Sequence, residues 1–188
     1  MNVVEIMKNF NSRTCQLILG AGAIQLVGLK TISVRNLALA SRSLQLVVRF
    51  VPAIRKEFAD LLPTDKQQML RHFDHVSKDY TDHIQEIDNK LLLIMDNHLI
   101  GSLNEWRVEG KTPTVAFQNI IKQIGKFYQG YSAIMPAEVT TAMLHRIHAN
   151  FKLYFKQHLQ ARGITPHDAV TYGLVLPWLL VYLRAIIQ

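Results

Sequence analysis

The sequence predicts an all-α fold, an elongated multi-helix bundle, and three observations carry that prediction. Apolar residues recur at helical spacing along most of the chain, with little of the alternation expected of strands. Capping signals stand ahead of the periodic runs. Between Thr64 and Leu103 no proline and no glycine other than Gly101 intervenes, so a long helix is unbroken there. At 188 residues the chain suits one domain with a substantial core and is too short for two ordinary ones.

The elements follow in order. The first 30 residues are predicted to form a helix whose end is obscured by Gly20, Gly22 and Gly28. In "SVRNLALASRSLQLVVRFVPAIRKEFADLL", Leu37, Leu44, Val47, Val51, Ile54 and Phe58 share one side of a second helix, with Ser33 as its N-cap. Pro52 lacks an amide hydrogen and is expected to kink or divide that helix near Phe50. Thr64 and Gln67 then read as a capping box, opening a helix to about Leu103 that is roughly 60 Å long at about 1.5 Å per residue.

"EWRVEGKTPTV" is the clearest loop. A fourth helix is expected from about Pro113 to Ala133, broken or weakened near Gly125 and Gly130. Pro136 suits the first turn of a fifth, which runs to about Arg162 and stops at Gly163. "AVTYGLVLPWLLVYLRAII" is the most apolar stretch, interrupted by Gly173, Pro177 and Arg184. Core packing, contact with a partner or segment, and membrane insertion are its three readings. The division drawn is a helical domain over 1–163 and an apolar tail over 164–188. No internal repeat or low-complexity segment is present.

The net charge of +7 is unevenly spread. Residues 57–109 hold 11 of the 14 acids and 5 of the 21 bases, a net of −6. Such polarity fits packing of unlike faces, or attraction to an acidic partner, nucleic acid or anionic lipid. No nucleic-acid motif or aromatic platform accompanies the bases, so nucleic acid is not an expected partner. The lone Cys15 excludes an internal disulfide and a cysteine-based zinc cluster, and fits a reducing compartment. "MNVVEIMKNF" does not read as a secretory signal. "LGAGAIQLVG" lacks the spacing of a dinucleotide-binding loop, and no Gly-x-Ser-x-Gly or phosphate-binding loop occurs. The expectation is a protein that is not an enzyme and carries no cofactor.

Two patterns are candidate sites. In "LRHFDHVSKDYTDHIQEIDNK", Phe73, Val76, Tyr80, Ile84, Ile87 and Leu91 gather on one helical face. His72, His75, Asp79, Asp82, His83 and Glu86 form a polar stripe beside it, suited to i,i+4 pairing, contact with a neighbouring helix or partner, or pH sensing. The alternative is a metal-dependent bundle enzyme using His75, Asp79 and His83. Against it, His75 and His83 lie about 12 Å apart along the axis, no Glu-x-x-His occurs, and His145 and His148 stand beside Lys152 and Lys156. The second pattern is Arg35, Arg42, Arg49 and Lys56, whose steps of seven draw a basic line for anionic lipid or an acidic helix.

Three stretches carry a family resemblance: "FNSRTCQLILGAGAIQLVGLKTISVRNLALASRSLQLVVRFVPAIR", "MLRHFDHVSKDYTDHIQEIDNKLLLIMD" and "HRIHANFKLYFKQHL". They resemble the C-terminal region of the vacuolar protein sorting-associated protein fifty-four family, subunits of the Golgi-associated retrograde protein (GARP) tethering complex. The likeness covers about residues 9–160 and fades after about 163. It implies a helical-rod domain as in multisubunit tethers. It also implies a part in capturing endosome-derived vesicles at the trans-Golgi network before membrane fusion, with the protein peripheral on the cytosolic face of the trans-Golgi network and endosomes. The family's C-terminal region is associated with endosomes, through membrane or an endosomal protein. Its more N-terminal regions join the other GARP subunits and engage SNARE proteins. The chain would then be a fragment or a short gene product. The resemblance transfers no catalytic residue.

Overall fold

Residues 3–18, 32–106 and 115–162 are described by the computed structural model. They form helices α1 (Val3–Ile18), α2 (Val34–Leu61), α3 (Arg71–Glu105), α4 (Val115–Ser132) and α5 (Ala137–Ala161), with a 3-10 helix over Thr64–Leu70 ahead of α3. No strand occurs among the described residues, so the all-α expectation holds. The chain divides into two compact units, Met1–Lys90 and Leu91–Gln188, and α3 contributes to both.

In the first unit, Ser33 caps α2 as its position predicts. Its backbone is extended and its Oγ accepts a bond from the amide of Asn36 at 3.2 Å. From there α2 buries Leu37, Ala38, Ala40, Ser41, Leu44 and Val51, and packs on α1 and on the 3-10 helix. The expected division of the second helix and the expected capping box are both absent. Pro52 lies inside α2 without dividing it. It faces solvent, where water can serve the carbonyl left without an intrahelical donor, and the packed face carries the helix through. Thr64 forms no capping box: Pro63 occupies the cap position with no side-chain bond, and the chain takes a tight 3-10 path to Leu70 before α3 starts. Phe58 of α2 meets Phe73 of α3 at 5.4 Å between ring centroids, and Arg55 Nε lies 3.2 Å from Asp74 Oδ1 as an ion pair across the same two helices.

The second unit joins the last part of α3 to α4 and α5. Leu91, Met95, Leu99 and Leu103 repeat every four residues and are all buried. α4 answers with Phe117, Ile120, Ile124, Phe127 and Tyr131, and α5 with Met143, Ile147, Phe151 and Phe155. Of the break or weakening expected near Gly125 and Gly130, no break occurs, and α4 runs through both. The cost of a helical glycine, about 1 kcal/mol, is small beside that aromatic face. Pro136 sits at the N-cap of α5, and α5 closes at Ala161 with Arg162 as its C-cap.

Trp106, just beyond α3, is the hub of this core. Its ring lies 5.2 Å from Phe117, edge to face, and 5.5 Å from Phe155. The Arg162 guanidinium donates to its carbonyl at 2.7 Å. A polar clamp ties α3 to α5: the Asp96 carboxylate accepts from Asn150 Nδ2 at 3.0 and 3.1 Å and from the Tyr154 hydroxyl at 3.0 Å. The end of the first helix beyond residue 18, most of the loop at 107–114, Gly163 and the apolar tail 164–188 lie outside the described residues.

Candidate functional site

The polar stripe of α3 separates into a surface set and one core residue. His72, His75, Asp79, Asp82 and Glu86 are exposed, whereas His83 is only 4% exposed. The residues Phe73, Val76, Tyr80, His83 and Ile87 step by three and four, so His83 completes the buried seam. Of the stripe, His83 is the member that turns inward, and the interhelix contact it makes is formed from within the core. At about 100° per residue it lies only about 20° from Val76 around the helix.

In that position His83 is held by α1. Its Nδ1 lies 2.8 Å from Asn11 Oδ1, so with the amide in this orientation Nδ1 carries the proton. The unprotonated Nε2 is buried with no hydrogen-bond partner among the described residues. One turn earlier the Tyr80 hydroxyl donates to the Met7 carbonyl at 2.7 Å, and its ring stacks on Phe10. Burial pushes the Tyr80 hydroxyl up to about 12 and pulls the His83 imidazole below its usual range, with Glu86 acting in the other direction.

This placement bears on the metal alternative. His75 and Asp79 face outward while His83 is committed to Asn11, and no group of three or more His, Cys, Asp or Glu among the described residues is arranged to hold an ion. His148 is half-buried and held below the usual imidazole range by burial, then by Lys152 and His145. The i,i+4 pair on α3 is Lys78 with Asp82 at 2.7 Å, rather than one centred on Asp79. Asp79 and Glu86 border a groove of about 680 Å³ whose opposite wall is α1, including Lys8, Asn11, Ser12 and Cys15. Burial and then Glu86 raise the Cys15 thiol above its ordinary value, which disfavours a thiolate there.

The basic line is a surface feature. Arg35, Arg42, Arg49 and Lys56 are all exposed on α2. The ion pairs among the described residues are Arg55–Asp74 and Lys78–Asp82, so none of the four is neutralised that way. The polar clamp around Asp96 was not anticipated from sequence. Its signal was a single acid inside the apolar run "LLLIMDNHLI", which calls for a buried or half-buried partner.

His83 makes folding stability depend on pH. Its native imidazole is depressed, so between the native value and the ordinary 6.5 the unfolded chain binds more protons. Its contribution is complete above the ordinary value and is lost as pH falls through the native one. His148 and His158 are depressed as well, so the difference between the native chain and His83→Gln isolates this site. Urea titrations across mildly acidic pH are expected to show a shallower loss for His83→Gln, and parallel curves would remove the assignment.

Comparison with known proteins places these elements in a family. Residues 1–98 match the Vps54-like protein family. The chain is 49% identical over 173 residues to vacuolar protein sorting-associated protein 54 of Caenorhabditis elegans, covering 92% of this chain and 16% of that protein. The human protein of the same name is 46% identical over 171 residues, covering 91% of this chain and 18% of that one. The chain thus spans less than a fifth of the length of these curated relatives. A solved structure described as the C-terminal domain of the Vps54 subunit of the GARP complex superposes with a TM-score of 0.52 at 32% identity, over 60% of this chain and 88% of that one. A family match across more than half of the residues, joined to this shared helical architecture, shows that the chain belongs to the Vps54-like protein family.

Proposed function

We propose that the chain is a non-enzymatic helical domain of a vesicle-tethering subunit. Its setting is retrograde transport from endosomes to the trans-Golgi network within a GARP-type complex. The single observation that carries this reading is the match to most of a solved C-terminal domain of the Vps54 subunit of that complex. The physical character of the residues supports it. Long helices with packed seams present outward-facing charge, which suits weak and reversible docking, and the candidate histidines are divided between core and surface rather than gathered around a reaction centre. In this reading the domain works on the cytosolic face of endosomes and the trans-Golgi network, contributing endosome association. Contacts with the other subunits and with SNARE proteins belong mainly to the regions of the longer relatives that precede it.

The test is complementation. Joined to the preceding region of the nematode relative, the chain is expected to restore sorting of retrograde cargo in cells lacking the subunit, and to concentrate on perinuclear membranes. A fusion that is expressed at normal level but stays uniformly dispersed and restores no sorting would overturn the proposal.

A further inference from the structure

We infer that the outward face of α2 is a contact surface for an anionic lipid bilayer. The face is built from two parallel heptad lines. Arg35, Arg42, Arg49 and Lys56 make one, and Leu39 and Leu46, with Phe50 at its flank, make the other, about 40° around the helix. The bases are exposed, and the three apolar side chains are 55%, 54% and 54% exposed. Along the basic line the charges recur about every 10 Å and extend over about 30 Å.

Three properties select a bilayer. First, no acid occurs in the sequence between Glu5 and Glu57, so the whole face is of one sign. A face that docks on a protein helix more commonly mixes signs to fix register. Second, Leu46 and Phe50 stand exposed on the outward face, while Leu39 borders a groove of about 320 Å³ whose other wall is α1. Fluid acyl chains accept such knobs without a matching socket, while the arginine stems reach sideways to keep their heads at the phosphates. Third, α2 is long and apolar enough to cross a membrane by composition, yet its opposite side is committed to the core through Leu37, Leu44 and Val51. A helix so anchored can lie on a bilayer but not cross it as it stands. Arg55, paired with Asp74, belongs to the packed side and not to this surface.

The inference rests on α2 and not on the tethering reading, and the test keeps the two apart. The full chain is floated with phosphatidylcholine vesicles containing about 30% phosphatidylserine, and with phosphatidylcholine alone. It is expected to float with the anionic vesicles, to be released by salt, and to leave neutral vesicles largely unbound. Changing Arg35→Glu, Arg42→Glu and Arg49→Glu together should lower anionic partition by at least roughly tenfold, whereas the three Arg→Lys changes should retain most of it. Leu46→Ser with Phe50→Ser should also weaken flotation at unchanged charge. All these side chains are exposed, so far-UV circular dichroism should stay that of the native fold. Equal flotation of native and charge-reversed chains would overturn the inference. So would a photoreactive group at position 46 that labels a protein and no lipid on membranes, or a dimer lost on the Leu46→Ser and Phe50→Ser changes in a chain that does not float. A chain that fails to float yet restores cargo sorting removes the lipid contact and leaves the tethering reading intact.

Discussion

Replacing Trp106 with alanine is expected to destabilise the second unit by about 3–5 kcal/mol. The indole is almost wholly buried and fills the space between α3, α4 and α5, touching Phe117, Phe155 and His158. Removing it loses the transfer energy of the ring and leaves a cavity. Close collapse is opposed because Phe117 and Phe155 already meet edge to face at 5.9 Å, and Phe151 stacks on Phe155. The carbonyl of Trp106 also receives the Arg162 guanidinium, and that bond survives only while the backbone beyond α3 keeps its place. Urea unfolding followed by far-UV circular dichroism measures the change. Trp106→Phe keeps an aromatic filler and should cost less than the alanine. A loss below about 1 kcal/mol for the alanine variant would show that this cluster is not what holds the second unit together.

Much of this core was legible beforehand because helical spacing is a strong signal where apolar residues are dense. The seam Phe73, Val76, Tyr80, Ile87 and Leu91, the Ser33 cap and the span of α5 all follow from periodicity and cap chemistry. At Pro52 and Gly125 a local preference of about 1–3 kcal/mol yields to a packed face many residues long, so neither divides its helix. Thr64 differs: it opens an exposed 3-10 turn, and no packed face explains the missing capping box. The burial of His83 is less legible: its residue type suggests the surface while its position lies within the buried arc. Its partner Asn11 is 72 residues away in sequence, a separation over which no periodic pattern operates. The Asp96 clamp was missed likewise, since Asn150 and Tyr154 become its donors only once α3 and α5 are packed. The basic line of α2 needed no tertiary information, because exposed residues keep the spacing that the helix gives them.

The docking of α1 on α3 is expected to depend most on Tyr80. Tyr80→Ala should cost about 3–5 kcal/mol, because the side chain is buried, stacks on Phe10 and donates to a main-chain carbonyl of α1. Tyr80→Phe separates these contributions. It keeps the ring and leaves the Met7 carbonyl without its donor, for an expected loss of about 1–3 kcal/mol. The same hydroxyl sets an alkaline limit. Its native value is raised to about 12 from 10.0, so its contribution is intact below the ordinary value and is lost as pH rises through the native one. Tyr80→Phe should therefore flatten the alkaline fall in stability while lowering stability at neutral pH. Hydrogen exchange adds a local readout. If α1 is held chiefly at Tyr80 and His83, its amides should lose protection in Tyr80→Ala before those of α2 do, since α2 buries its own line of Leu37, Leu44 and Val51. Equal loss across α1 and α2 would instead mean that the first unit opens in one step and that α1 is no separate latch.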